Sequence, residues 1–280
     1  MKTVNSLSGG KTSSYIAANY PADYNVFSLV RIEDEAARFP DEKLRKEVED
    51  RIQAPFIGTA EDDTIIHTML DLEQYIGKPI TWVTGDTFDT VIKKHGGYLP
   101  NKIARYCTTD MKTIPIAEWR HKNIPGEVEM RFGFRANEQG RAKKMIDRSN
   151  ENGIIQVKIV TGRTKNNKQN KWQTIDYCTP SFPLIEDALF KDSIEEFWKA
   201  KPVRFAYMNN CVGCWWRGPM LLKHMADKQP LKMEWFARQE EDNRGQFKSE
   251  VSYREIMSYN SQAKLFDEDF DECDSGYCGL

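Results

Sequence analysis

Short apolar runs alternate with longer amphipathic stretches through the first half of the chain. Residues 3–7 are partly apolar and lead into Ser8-Gly9-Gly10, after which residues 11–19 have helical character, so the chain is predicted to open as strand, tight loop, helix. Residues 25–32 (NVFSLVRI) read as a buried strand, and residues 41–52 carry helical charge pairing such as Glu42 with Lys46. Within residues 61–76, Ile65, Met69, Leu72 and Ile76 fall at helical spacing; residues 79–83 then read as a strand and 88–94 as a helix. A helix is predicted over 108–121 despite Pro115, a strand over 128–134 and a charged helix over 137–148. Strand and helix in this order predict an α/β fold built on a parallel twisted sheet with flanking helices.

From Gly153 the pattern changes. IIQVKIV and WQTIDYC read as two strands of a hairpin whose polar, basic tip spans 161–171. Residues 191–280 read as mostly helical, with a cysteine-bearing loop at 209–217 and an acidic tail, so the expected organisation is an α/β domain over 1–190, with the hairpin inserted near 153–178, followed by a helical region.

Composition narrows the classes. With 40 Lys+Arg against 42 Asp+Glu the net charge is -2, and 11% aromatic residues can fill a core, which excludes a disordered chain. No apolar run approaches the ~20 residues of a membrane-spanning helix, and the first residues lack an apolar stretch of signal-peptide length, so a cytoplasmic protein without a membrane partner is expected. Six cysteines are too few for a disulfide scaffold and suit metal, cluster or redox roles in a reducing compartment. The basic stretch 163–171 can contact nucleic acid through phosphates, although a solvated loop is the plainer reading.

Ser8-Gly9-Gly10-Lys11-Thr12-Ser13 sits between the first strand and the first helix, where glycines let the backbone approach a phosphate and helix amides point at it. A Walker A loop would need glycine where Asn5 stands, so that motif fails. The segment resembles the SGGxDS pyrophosphate loop (PP-loop) of the adenine nucleotide α-hydrolase superfamily, with Thr12 in place of the usual aspartate. Arg105-Tyr106-Cys107-Thr108 with Lys112 and Pro115 is similar to a segment of its phosphoadenosine phosphosulfate (PAPS) reductase branch, as are Phe132 to Glu138 with Arg141, and residues 181–185. The resemblance implies a Rossmann-like sheet that binds PAPS, adenylyl sulfate or ATP, with Mg2+ if ATP is the substrate. It implies binding roles for Ser8, Gly9, Gly10, Lys11, Thr12, Ser13, Arg105, Lys112, Arg135, Glu138 and Arg141, with Lys11 and Arg135 also in the chemistry. Independently of any family, Lys11, Arg105, Lys112, Arg135 and Arg141 have the chemistry to hold phosphate or sulfate oxygens.

Cys211-Val212-Gly213-Cys214 is a CxxC whose thiolates can share a metal or cluster or form a redox disulfide. Tetrahedral zinc with Cys107, Cys178 or His224 is the sober alternative. Resemblance to cluster-bearing relatives makes Cys107, Cys211 and Cys214 the ligands of a [4Fe-4S] cluster, with the fourth from Cys178, the tail or nowhere. The tail's Cys278-Gly279-Leu280 is similar to the end of sulfonucleotide reductases, where the cysteine is the nucleophile; a reductase of that type would use a thioredoxin-like thiol donor. The acidic neighbours Asp271, Glu272 and Asp274 oppose a low thiol pKa at Cys278. The expected function is reduction of a sulfonucleotide to sulfite. The alternatives are an ATP-dependent sulfurtransferase acting on tRNA or DNA, favoured by the basic hairpin and opposed by Thr12, and a zinc-stabilised nucleic-acid-binding module. A homodimer is left open.

Overall fold

The computed structural model describes residues 1–164, 169–209 and 211–259. In chain order these form β1 (Lys2–Leu7), α1 (Lys11–Asn19), β2 (Tyr24–Ser28), β3 (Arg31–Ile32), α2 (Glu42–Ile52), β4 (Gly58–Thr59), α3 (Thr64–Ile76), β5 (Ile80–Val83) and α4 (Phe88–Lys94). The helical turn α5 (Tyr106–Thr108) continues through a π-helical turn at Thr109–Thr113 into α6 (Ile114–Asn123). Then come β6 (Val128–Arg131), a 3-10 turn at Ala136–Glu138, α7 (Gln139–Ile146), β7 (Ile155–Arg163) and β8 (Asn170–Ser181). The chain closes with α8 (Pro183–Glu186), α9 (Lys191–Lys199), α10 (Pro219–Lys228), α11 (Pro230–Asp242) and α12 (Tyr253–Ser258).

The main sheet has the order β5-β2-β1-β6-β8-β7, parallel throughout except for the antiparallel β8–β7 pair at one edge. Its inner strands place apolar residues on both faces, as a sheet covered on both sides requires, with buried Asn5 and Asn25 hydrogen-bonded to each other across β1 and β2. Leu7, Phe27 and Trp82 share one cluster with α1, α2 and α3. Val4, Val26 and Met130 share another with Ile116 and Ala117 of α6, Met145 of α7 and the hairpin residues Ile159 and Ile175. No helix among the described residues is long and apolar enough to cross a membrane.

Three expectations change in detail. The strand predicted over 25–32 is broken: β2 ends at Ser28, and Arg31–Ile32 leaves the sheet to pair with β4. The helix predicted over 108–121 contains the π turn, two residues before Pro115. The hairpin strands run further into the polar stretch than their apolar residues indicate, to Arg163 and from Asn170. Hydrophobic clusters run across residue 190. One cluster joins Val30, Ala60, Phe88 and Val91 to Leu222, Trp235 and Tyr253 of α10 to α12, while Trp198 of α9 packs with the cluster beneath α1.

Candidate functional site

The strand order fixes where a crevice opens. From β1 the chain steps to β2 and then β5 on one side, and returns through β6 on the other side of β1. The loops leaving β1 and β6 at their carboxyl ends therefore diverge at a topological switch point, where open α/β sheets hold ligands. The first of those loops is Ser8-Gly9-Gly10; the second is Phe132 to Arg135.

Gly9 has φ +81°, a left-handed conformation that glycine adopts without steric cost, and Ile65 lies where a side chain would go. Ser13 Oγ accepts from the Ser8 amide at 3.1 Å and donates to the Gly10 carbonyl at 3.1 Å, closing the loop over the start of α1. A Cβ on Gly133 would lie 3.3 Å from the Ser13 amide nitrogen and 3.3 Å from Thr12 Cγ2, so the β6 loop passes directly over the first turn of α1. That turn carries amides with no intrahelical acceptor, which suits an anion.

The charged residues expected around the loop divide into two groups. Lys11 is ion-paired with Glu195 of α9, and its carbonyl accepts from Trp198 Nε1 at 3.0 Å. The ammonium group is thus held toward α9 by a carboxylate that an incoming phosphate would have to displace. Arg135 and Arg141 both engage Glu138, whose Oε2 also accepts from the Arg135 amide at 2.9 Å; the Arg141 guanidinium stacks 4.2 Å from the Phe134 ring centroid. Glu138 therefore caps the turn and spaces two guanidinium groups, a trio of net charge +1 two residues beyond Gly133.

Arg105 and Lys112 belong to the second group, beside the cysteines. Cys107, Cys211 and Cys214 line one narrow cavity of about 30 Å³ with Thr108, Lys112, Trp215, Trp216 and otherwise apolar walls. The Arg105 guanidinium lies 5.2 Å from the Trp216 ring centroid and 5.9 Å from that of Trp215. The CxxC loop is tightly braced. Val212 donates to the Ala60 carbonyl at 2.9 Å, Cys214 to the Cys211 carbonyl at 3.0 Å, and the Tyr253 hydroxyl to the Gly213 carbonyl at 2.9 Å. Arg217, buried, donates to the carbonyls of Asn209 and Cys211. On the opposite wall the π turn carries Lys112, which pairs at 2.8 Å with buried Glu61, itself bridged through its backbone to Cys211.

Asn209 connects the two groups. A Cβ on Gly10 would lie 2.6 Å from Asn209 Nδ2, which sets the residue two before Cys211 against the glycine loop. Sequence reasoning named Asn209 only as a flank of the cysteines and missed Glu61 and Glu195 altogether, because no local spacing marks a residue whose partner lies 51 or 184 positions away.

Three cysteine sulfurs on one cavity have the donor chemistry of a thiolate-held metal or cluster. As the side chains stand, no three His, Cys, Asp or Glu among the described residues converge into a metal-binding group. Cys178 does not join the three. It lies on β8, buried against the sheet and lining a separate cavity with Arg120, and burial pushes its thiol up to about 12. Cys278, expected as nucleophile, lies outside the described residues, as do Cys273 and the rest of the acidic tail. Compared with known proteins, the chain matches no family model, and searches of curated proteins and of solved structures give no match.

Proposed function

We propose that this chain is a nucleotide-dependent sulfur enzyme of the PAPS reductase type, with a Rossmann-like PP-loop fold that binds an adenine nucleotide at the β1 and β6 loops. The supporting observation is the meeting of two loops at the switch point. Gly133 leaves the orphan amides of α1 uncovered, and Asn209 brings the cysteine loop against the same glycines. In this proposal the amides of residues 9–13 hold the phosphates. Lys11 joins them by exchanging Glu195 for phosphate oxygens, and the +1 trio of Arg135, Glu138 and Arg141 offsets ligand charge beside β6. Cys107, Cys211 and Cys214 would hold the metal group: an iron–sulfur cluster there would supply redox or sulfur chemistry, zinc only a brace. Cys278 thiolate would attack the sulfate sulfur, the adenine nucleotide would leave with the phosphate oxygen, and a second thiol would release sulfite while forming a disulfide.

Calorimetry with ATP, adenylyl sulfate and PAPS, paired with intact-mass analysis, tests this. A sulfonucleotide should bind and leave a thiosulfonate on Cys278. Pyrophosphate released from ATP, with neither adduct nor sulfite, would replace the reductase by the adenylating transferase; absence of any nucleotide binding would overturn both. Metal content separates the cysteine role, since Cys211→Ser and Cys214→Ser should each lose iron or zinc.

A further inference from the structure

The β7–β8 hairpin has a solvent-facing side that the sulfur chemistry does not use. Its inner residues Ile155, Ile159 and Ile175 are buried with Met145 and Ala142 of α7. Gln156, Lys158, Trp172, Thr174 and Asp176 are exposed, and at the distal end the alternation fails, with residues 170–174 exposed throughout. The hairpin thus projects beyond the core, and its end carries a tryptophan 50% exposed with the Lys158 ammonium 5.9 Å from the ring centroid. Lys171 adjoins it in sequence, and Lys143, Lys144 and Arg148 are exposed on and just after α7, whose inner side shares the hairpin's apolar cluster. The described residues between 143 and 176 hold six Lys/Arg against three Asp/Glu, a net of +3 in a chain of net -2. Positive charge is therefore concentrated here against a negative remainder.

We infer that this hairpin is a docking surface for single-stranded nucleic acid, with Trp172 as a stacking platform and Lys158 and Lys171 as phosphate contacts. The occupant follows from two features taken together. Concentrated cations select a polyanion, and a flat, half-exposed indole flanked by a cation selects one with accessible ring faces, which single strands offer and duplexes conceal. An anionic bilayer would favour several large apolar groups for insertion, whereas Trp172 is the one large exposed apolar side chain among the described hairpin residues. An acidic peptide would use the lysines and leave the indole idle. The inference does not rest on the nucleotide-binding proposal, because only residues 179–181 of β8 pair with β6, whereas Lys158, Lys171 and Trp172 lie on the distal part of the hairpin, paired only within it.

Fluorescence anisotropy on the full chain tests it, with labelled single-stranded RNA and DNA, the corresponding duplexes, phosphatidylserine vesicles and polyglutamate as probes. Single strands should bind best, with affinity falling as salt rises. Trp172→Ala should weaken binding about five- to hundredfold and Trp172→Phe should restore most of it. Lys158→Ala with Lys171→Ala should flatten the logarithmic salt dependence by about one unit. Thr174→Glu, exposed on the same hairpin, should weaken binding by repulsion and serves as a second variant should the tryptophan change disturb folding. Adenine-nucleotide affinity should stay unchanged in all of them, so failure of the nucleotide-binding proposal leaves this one standing. Equal binding by wild type, Trp172→Ala and Thr174→Glu would overturn it, as would a preference for vesicles, duplexes or polyglutamate, or no single-strand binding at low salt.

Discussion

Gly133 is the residue on which the proposed nucleotide crevice most directly turns. Its backbone lies outside the left-handed region, so alanine is conformationally allowed there, yet the added methyl would stand 3.3 Å from the Ser13 amide nitrogen. Gly133→Ala should leave the melting temperature within the usual range of a surface change and weaken adenine-nucleotide binding roughly ten- to hundredfold, the scale of one charge-assisted hydrogen bond at ~1.5–3 kcal/mol. Unaltered affinity by calorimetry would remove the α1 amides from the site. Cys178 makes the opposite case, a chemically suggestive residue that the packing silences. Burial raises its folded pKa from 9.0 to about 12. A raised pKa means that folding favours the protonated thiol; this contribution is complete below pH 9 and is lost as pH climbs toward 12. At pH 8, iodoacetamide should therefore leave Cys178 unmodified in the folded chain and label it after urea unfolding, as peptide mapping would reveal.

At the scale of elements, α1 and α9 meet through Lys11 and Glu195, and the pair gives two substitutions of opposite sign. Lys11→Ala should weaken nucleotide binding, whereas Glu195→Gln, by freeing the ammonium from its competing carboxylate, should strengthen it. Both side chains are about a third exposed, so solvent screening limits the second effect to a few-fold. If both variants weaken binding equally, the ion pair itself shapes the loop and Lys11 is no phosphate ligand. The elements legible in the sequence were those whose ends are marked locally, by the glycine loop ahead of α1 or a capping threonine ahead of α4. The predicted helix over 11–19 matches α1, and 88–94 matches α4, where Thr87 caps the first turn by accepting from the Thr90 amide at 3.3 Å. The departures come from tertiary partners. Leu29 still bonds the Val83 carbonyl at 2.9 Å, but Arg31 is drawn off the sheet line by Thr84, Pro55 and Gly85, which accept all its donating nitrogens. The π turn likewise depends on distant groups, since Ser28 Oγ donates to the Met111 carbonyl at 2.8 Å and Lys112 reaches Glu61. Cys107, Cys211 and Cys214 could be grouped from residue type and resemblance, but Cys178 could not be set aside until its strand was placed.

Across the whole molecule, the helices after residue 200 are keyed into the α/β core by a buried cation. Lys232 of α11 is 3% exposed; it donates to the Glu61 carbonyl and pairs with Asp63 at 2.6 Å, just ahead of α3. The same Glu61 holds Lys112 beside the cysteines, so one acidic segment ties α3, the π turn, the CxxC loop and α11 together. Loosening α11 should therefore loosen the whole, and thermal unfolding followed by far-UV circular dichroism and by tryptophan fluorescence should give coincident transitions. Lys232→Met keeps the aliphatic stem but strands Asp63, whose side chain is 27% exposed, so the cost should fall below the ~3–5 kcal/mol of breaking a fully buried pair. The cost should depend on pH in a definite direction. Burial raises the Asp63 pKa against the opposing pull of Lys232, so folding favours the neutral carboxyl; that contribution is present below the ordinary carboxylate range and lost as pH rises through the folded value. Without Lys232 the ionised form loses its compensating charge and the folded pKa rises further. The destabilisation by Lys232→Met should accordingly be largest near pH 7 and shrink toward pH ~4, as falling pH brings Asp63, its pKa raised above the ordinary value, progressively to the protonated form. Urea titrations at the two pH values would measure it, and Asp63→Asn added to Lys232→Met should recover much of the loss at pH 7. A cost independent of pH would mean that the hydrogen bond to the Glu61 carbonyl, rather than the ion pair with Asp63, carries the contact; two separated transitions, with only the earlier one moved by Lys232→Met, would mean that the α/β sheet stands without its helical partner.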